Sequence, residues 1–191
     1  MSRLLIITSS TRPGRNGAAV TSWVADLATQ HGGFDVAIAD LAELALPFLD
    51  EPDHPSEQAY RHQHTKDWSA TVDAADAFVI VTAEYNRGIT APLKNALDYL
   101  DVEWHGKPVG FVSYGMSSAG LRAVEMVTQV VTALRMVPLS GVVPIPLRQA
   151  LDEQGRFTPA PHLASGVGEL LDELERYAEV LRLLREPTLV G

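Results

Sequence analysis

Residues 77–88 have the sequence AFVIVTAEYNRG, in which a run of apolar and β-branched residues leads directly into a polar loop. A short apolar run without polar alternation predicts a strand that is buried on both faces. Such strands are typical of parallel sheets with helices on either side. We therefore expect residues 77–82 to form a central strand of an α/β sheet, with the loop 83–88 at its carboxyl end.

Strand-like and helix-like patterns alternate on both sides of this segment. The other predicted strands are residues 3–8, 35–39, 109–113 and 138–143. Alternating strands and helices predict a parallel sheet. Five strands in a chain of this length favour a doubly wound sheet with the strand order 2-1-3-4-5, and ligands of such a sheet bind beyond the carboxyl ends of its strands.

The segments between these strands carry patterns of their own. Residues 56–75 have apolar and aromatic side chains four positions apart, which predicts a helix. The helix that contains Met126 and Val130 is apolar on more than one side, so we expect a second subunit to cover it. Residues 148–162 are predicted to form an extended loop, and the apolar periodicity of residues 167–181 predicts a final amphipathic helix.

The composition is that of an ordinary globular protein, with 46% hydrophobic and 20% charged residues among 191. A single domain over residues 1–191 is expected from this length. The formal net charge of −9 argues against a protein that binds nucleic acid through broad phosphate neutralisation. Because the chain has no long apolar run and no signal-peptide pattern, we expect a cytoplasmic protein with no membrane partner.

The chain contains no cysteine, which excludes disulfides, thiolate metal sites and cysteine nucleophiles. Redox chemistry would therefore require a bound cofactor. His62 and His64 are two positions apart, so on a helix their side chains would diverge by about 200° and could not share an ion. We predict no metal site.

The first polar loop, residues 9–17, follows a strand and opens a helix, where backbone N–H groups favour an anion. Its side chains add donors suited to a phosphate monoester. These donors are Ser9, Ser10, Thr11, Arg12, Arg15 and Asn16. The alternative is an ordinary polar turn with solvated arginines. The loop matches neither the dinucleotide fingerprint nor the Walker A pattern.

The other two polar loops are less specific. Glu84, Tyr85, Asn86 and Gly88 place an aromatic ring beside amide donors, which suits a flat heteroaromatic ligand or a simple turn. The third loop, residues 114–120, offers small residues and N–H groups to a ligand close to the backbone. It also nearly matches the G-x-S-x-G elbow of serine hydrolases, with Ser117 as nucleophile and Asp152 and His162 downstream.

Together the three loops resemble those of the NADPH-dependent FMN reductases, flavodoxin-like flavoproteins that include azo and quinone reductases. Residues 9–17 resemble their Gly-Ser-x-Arg phosphate loop, and residues 83–86 with 91–98 are similar to their Pro-Glu-Tyr-Asn … Pro-x-x-Leu-Lys-Asn-Ala-Leu-Asp signature. Residues 113–115 and 120–123 resemble the third flavin loop and the Gly-Gly-x-Arg-Ala motif that follows it. Three positions depart from the pattern: Ser9 and Ala119 replace glycine, and Ala83 replaces proline.

The resemblance implies a flavodoxin-like fold and an FMN site shared among the three loops. The FMN phosphate would be held by Ser10, Arg12, Arg15, Asn16 and Gly17. The ribityl chain and ring would be flanked by Glu84, Tyr85, Asn86 and Gly88, and the pyrimidine end would be bordered by Ser113, Tyr114, Gly115 and Ser117.

The same resemblance implies an enzyme that passes a hydride from NADPH or NADH to FMN and then reduces a flavin, a quinone or an azo compound by ping-pong kinetics. No side chain is required as a catalytic acid or base, because the flavin carries the chemistry. A homodimer or homotetramer with the flavin near the subunit interface is expected. The alternatives are a flavodoxin-type electron carrier and the serine hydrolase that uses Ser117.

Overall fold

The computed structural model of the chain describes residues 1–185. Its five-stranded sheet is parallel throughout and has the order β2-β1-β3-β4-β5, which confirms the predicted flavodoxin-like arrangement. The strands are β1 (Ser2–Thr8), β2 (Phe34–Asp40), β3 (Ala77–Ala83), β4 (Pro108–Gly115) and β5 (Val137–Pro146). The last six residues of the predicted domain 1–191 lie outside the described part of the chain.

Helices cover both faces of this sheet. One face packs against α1 (Gly17–His31) and α7 (Pro161–Arg185), and the other against α3 (Gln63–Asp73), α4 (Ala91–Asp98) and α5 (Leu121–Ala133). The short helices α2 (Leu41–Leu44) and α6 (Leu147–Ala150) follow β2 and β5. Every residue of β3 is buried, as its apolar sequence predicts, because alternate side chains enter opposite cores. Among residues 1–185, no helix is long and apolar enough to cross a membrane.

The helix predicted over residues 56–75 is wrong in its first half. Residues 55–57 form a 3-10 turn, Gln58 has a positive φ of 51°, and α3 begins only at Gln63. The carboxylate of Glu51 accepts the amide N–H groups of Arg61 and His62 at 2.8 and 2.9 Å, so these amides are satisfied outside a helix. A side-chain acceptor from an earlier loop therefore overrides the apolar periodicity.

The late start of α3 also corrects the expectation for the histidines. His62 precedes the helix in an extended conformation, so its side chain does not diverge from that of His64. The two rings stack with centroids 5.2 Å apart, and their Nε2 atoms lie 4.0 and 3.0 Å from the Asp50 carboxylate.

The segment predicted as an extended loop, residues 148–162, is partly ordered. Its start belongs to α6 and its end to α7, and Leu151 pairs with Phe157 in an antiparallel bridge. Asp152 organises the turn between these residues by accepting N–H groups from Gln154 and Arg156. Proline-rich flanks concealed the short helical turn, which has only four residues.

A buried lysine lies at the opposite end of the sheet from the polar loops. Lys107 is 5% exposed, and its Nζ donates to the carbonyls of Val72 and Asp73 at 3.0 and 2.9 Å, at the end of α3. The ammonium group also lies 5.8 Å from the ring centroid of Phe78. Burial lowers the pKa of Lys107 to about 8.

Candidate functional site

The three polar loops converge beyond the carboxyl ends of β1, β3 and β4, which are neighbours in the sheet. We name them loop A (residues 9–16), loop B (residues 84–90) and loop C (residues 116–120). Between them lies a cleft of about 330 Å³, the AB cleft, which is lined by Arg12, Gly14, Arg15, Asn16, Ala83, Glu84, Tyr85, Tyr114, Gly115, Met116 and Leu147. An adjoining cleft of about 340 Å³, the BC cleft, is lined by Glu84, Asn86, Arg87, Gly115, Met116, Ser117, Ser118 and Arg122.

Loop A begins inside the protein and is fixed by long-range hydrogen bonds. The amide of Ser9 donates to the Val81 carbonyl at 3.0 Å, and the Thr90 hydroxyl donates to the Ser9 carbonyl at 2.8 Å. The hydroxyl of Ser10, also buried, lies 2.8 Å from that of Tyr114. Burial raises the pKa of Tyr114 to about 12, so this hydroxyl stays protonated in the neutral pH range.

Gly17 begins α1 and lies against this hydroxyl pair. A Cβ atom at this position would lie 2.3 Å from Ser10 Oγ and 2.7 Å from Tyr114 Oη, which is too close for any real contact. The close approach therefore requires glycine. The preceding residue, Asn16, makes no side-chain hydrogen bond to the helix, so the first amides of α1 have no side-chain cap. They face the end of loop A as an anion-binding helix terminus would.

The two arginines of loop A differ in their environment. The guanidinium of Arg15 forms an ion pair of 2.5 Å with Asp40, which also accepts the amide of Ala42 at the start of α2. The Nε of Arg15 is buried and has no hydrogen-bond partner among the described residues. Arg12 is exposed at the rim of the AB cleft. The positive charge of Arg15, one of the predicted phosphate donors, is thus partly neutralised by Asp40, a residue that the motif does not contain.

Loop B contains a strained two-residue turn. Tyr85 and Gly88 exchange backbone hydrogen bonds of 3.0 Å in both directions, and the residues between them have φ angles of 51° (Asn86) and 70° (Arg87). Asparagine adopts this left-handed conformation readily, but an arginine there costs about 1 kcal/mol. The turn leaves Tyr85 38% exposed beside the AB cleft.

The Glu84 carboxylate joins loop B to loop C. It accepts the hydroxyl of Ser118, the backbone N–H of Arg122 at 3.1 Å and the Arg122 guanidinium at 3.0 Å. Burial acts to raise the pKa of Glu84, but these donors outweigh burial and hold the pKa below its usual value. The prediction of Glu84 as a flavin neighbour did not include this clamp. The only sign of the clamp in the sequence is Arg122, the arginine of the Gly-Leu-Arg-Ala stretch.

Loop C is held against the end of β4. The hydroxyl of Ser113 donates to the Ala119 carbonyl at 2.9 Å, and Ala119 has a positive φ of 52°. Gly120 has a φ of 89°, and a Cβ there would lie 2.7 Å from the backbone nitrogen of Tyr114. Ala119 is one of the positions where the family pattern has glycine, and its conformation explains why glycine suits that position.

The residues predicted to bind FMN fall into two groups. Nine line one or both clefts: Arg12, Arg15, Asn16, Glu84, Tyr85, Asn86, Tyr114, Gly115 and Ser117. The other four lie beneath or beside the loops: Ser10, Gly17, Gly88 and Ser113. The residues named for the hydrolase alternative do not come together in this way. The carboxylate of Asp152 pairs with Arg156 at 2.7 Å and not with a histidine.

A family model described as NADPH-dependent FMN reductase matches residues 2–149 of the chain. The chain belongs to this family. The matched region contains all three loops, so the family predicted from their motifs is confirmed. The prediction of a flavin-dependent oxidoreductase with FMN as its flavin and NAD(P)H as its reductant is confirmed with it.

Individual relatives support the same family. The chain is 33% identical over 181 residues to an NAD(P)H-dependent FMN reductase of Schizosaccharomyces pombe, covering 93% of this chain and 90% of that one. It is 32% identical over 122 residues to an FMN-dependent NADPH-azoreductase of Staphylococcus haemolyticus, covering 63% of each chain. The fold is similar to that of FerB, an NAD(P)H:acceptor oxidoreductase of Paracoccus denitrificans, with a TM-score of 0.71 at 19% identity over 94% of this chain and 98% of FerB.

The donors in this FMN reductase fit the phosphate end of FMN. The buried Nε of Arg15 lacks a partner among the described residues, and an anion in the AB cleft would supply one. The uncapped amides of α1 and the exposed guanidinium of Arg12 add donors on the same side. Gly17 keeps the helix terminus free of a side chain at this point.

Proposed function

We propose that this FMN reductase holds FMN with loops A, B and C and uses it to transfer electrons from NAD(P)H to a small acceptor in a ping-pong cycle. When bound, FMN supplies the hydride acceptor and the electron donor, so no side chain needs to act as acid or base. The observation that carries the proposal is the buried Arg15 Nε without a described partner, next to the uncapped start of α1.

Loop A is proposed to bind the FMN phosphate. The exposed guanidinium of Arg12 and the Nε of Arg15 would donate to its oxygens, together with the first amides of α1 near Asn16. Ser10 contributes in a second way, because its bond to Tyr114 fixes the floor of the loop. Gly17 allows the helix terminus to approach that floor.

Loops B and C are proposed to hold the flavin ring. Tyr85 offers an exposed aromatic surface beside the cleft, and Asn86 and Gly88 shape the turn that presents it. Gly115 lines both clefts and Ser117 lines the BC cleft, and the backbone N–H groups of loop C would stabilise negative charge on the ring. Glu84 and Ser113 fix these loops through hydrogen bonds.

The acceptor is proposed to be a free flavin, a quinone or an azo compound. Curated relatives carry the names FMN reductase, azoreductase and NADPH:quinone oxidoreductase, which supports this range. The acceptor would use the same open cleft as the nicotinamide, after the latter leaves. A panel of acceptors assayed at several fixed NAD(P)H concentrations tests this scheme, because ping-pong kinetics require parallel reciprocal plots.

We further propose one domain over residues 1–191 that acts in the cytoplasm as a homodimer or homotetramer. Exposed apolar side chains near the clefts support an interface there: Met116 is 56%, Leu121 44% and Met126 46% exposed. Met126 lies on α5, the helix for which the sequence predicts a second covered side. Sedimentation of the purified protein at several concentrations would test the assembly.

The decisive experiment follows the flavin spectrum. Protein loaded with FMN is mixed anaerobically with NADPH or NADH, and the oxidised flavin band is recorded before and after an acceptor is added. Rapid bleaching followed by recovery is expected. Binding of FMN without reduction by either nucleotide would indicate an electron carrier. A protein that binds no FMN but cleaves an ester until Ser117→Ala is introduced would indicate the hydrolase.

A further inference from the structure

The BC cleft contains two arginines that are not among the proposed FMN ligands, although one of them, Arg122, also holds Glu84 between loops B and C. Arg87 lies at the tip of loop B, and Arg122 lies in the first turn of α5. Both line the same cleft of about 340 Å³, which shares Glu84, Gly115 and Met116 with the AB cleft. A ligand seated where the two clefts meet would therefore have two guanidinium groups within the adjoining space.

The charge in this cleft is positive although the chain has a net charge of −9. Glu84 is the only carboxylate among the residues that line the BC cleft. Both of its oxygens are already engaged, because one accepts the Arg122 guanidinium and the other accepts the Ser118 hydroxyl and the backbone N–H of Arg122. The side chain of Arg122 is still 41% exposed. Arg87 is exposed and forms no ion pair with residues 1–185. The cleft thus offers donors to an anion without a free carboxylate to repel it.

The backbone of Arg87 is held in the turn of loop B. The reciprocal hydrogen bonds between Tyr85 and Gly88 define the turn, and Arg87 is held there at a φ of 70° that is unfavourable for its side-chain type. Strain of this kind persists where the surroundings enforce it, and it is concentrated at functional sites. The turn places Arg87 at the BC cleft, which its side chain lines.

We propose that Arg87 and Arg122 bind the phosphate groups of the nicotinamide dinucleotide. The inference rests on the proposed function, since the nicotinamide must reach a flavin held by loops A to C. Loop A already supplies donors for the FMN phosphate on the other side of the AB cleft. Arg87 and Arg122 are absent from the lining of that cleft, so they are available to a second phosphate-bearing ligand. Guanidinium groups bind phosphate through paired hydrogen bonds.

The test compares two arginines that both have a positive φ. Arg87→Asn removes the proposed contact, and asparagine tolerates a positive φ. Arg135→Asn is the matched control, because Arg135 is also exposed, has a φ of 56° and lies outside both clefts. Each variant is measured for the Kd of FMN, for the KM of NADPH and NADH, and for binding of ADP to the FMN-loaded protein. ADP is the phosphate-bearing fragment common to both nucleotides.

For Arg87→Asn we expect KM for the nucleotide and Kd for ADP to rise about 10-fold, the usual effect of losing one charged hydrogen bond. The Kd of FMN should stay unchanged, and Arg135→Asn should match the wild type in every measurement. Arg122→Gln should also weaken ADP binding, and because it breaks the ion pair with Glu84 it should weaken FMN binding as well, so Arg87→Asn carries the test. Unchanged ADP binding in Arg87→Asn, or an FMN affinity that falls by the same factor, would overturn the proposal. Failure of the wild type to bind FMN would instead refute the proposed function.

Discussion

Replacing Gly17 with alanine tests whether the start of α1 is built around the Ser10–Tyr114 hydroxyl pair. The new Cβ would lie 2.3 Å from Ser10 Oγ and 2.7 Å from Tyr114 Oη, so both hydroxyls must move. Overpacking a filled site costs about 1–3 kcal/mol, and a buried hydroxyl that loses its partner costs a similar amount. Alanine recovers about 1 kcal/mol in helix propensity. We therefore expect a net loss of about 1–5 kcal/mol in the free energy of unfolding.

Urea unfolding followed by circular dichroism measures this loss, and a titration with FMN measures its effect on the site. Gly168→Ala is the matched control, because Gly168 lies in α7 and a Cβ atom there would have no neighbour within 4 Å. It should stabilise the protein by about 0.5–1 kcal/mol through helix propensity alone. In a background that carries Ser10→Ala and Tyr114→Phe, the penalty of Gly17→Ala should shrink, since the two clashing oxygens are gone.

Two results would refute this reasoning. One is a Gly17→Ala protein that unfolds at the same urea concentration as the wild type. The other is a full penalty that persists after both hydroxyls are removed. Either result would mean that the contacts around Gly17 do not set the position of α1. The account of loop A as a preformed anion site would lose its structural basis.

Three further predictions address other parts of the chain. Arg12→Ala should raise the Kd of FMN about 10-fold or more, because it removes one charged donor to the phosphate. The melting temperature should not change, because Arg12 is exposed and makes no ion pair with the described residues. An unchanged Kd would contradict the phosphate assignment. Glu84→Gln should lower the free energy of unfolding by about 1–3 kcal/mol, because it removes the buried charge that pairs with Arg122. Urea unfolding measures this change, and a stability equal to that of the wild type would contradict the prediction. Lys107 has a pKa of about 8 in the fold against 10.5 in its absence, so the unfolded chain binds more protons between these values. Stability should therefore rise with pH above 8, by up to about 1.4 kcal/mol per pH unit, and Lys107→Met should abolish that rise.

The topology could be predicted from the sequence because the strands carry their own signal. The apolar runs of β1 and β3 predict strands that are buried on both faces. Because the strands of such a sheet run parallel, the loops that follow them meet at its carboxyl edge. The helix boundary at Gln63 could not be predicted in this way. It depends on Glu51, a carboxylate ten and eleven residues from the amides that it accepts.

The motifs predict which residues come together in the loops, but not which partners their side chains contact. The motifs name Arg15 and Glu84, yet the partners of these side chains are Asp40 and Arg122, which come from distant parts of the chain. Tyr114 is predicted at the pyrimidine end, and its hydroxyl lies 2.8 Å from that of Ser10 in loop A. Side-chain pairings of this kind arise only when the strands are aligned, so the motifs name some of the partners, such as Arg122, but not the pairings themselves.

The central claim is that the three loops form one FMN site, and an equilibrium titration with FMN tests it most directly. Purified protein is titrated with FMN and, separately, with riboflavin, while flavin fluorescence is recorded. We predict saturation at one FMN per chain and a much weaker affinity for riboflavin, because the donors of loop A require the phosphate. Equal affinities for the two flavins, or no binding of FMN, would contradict the account.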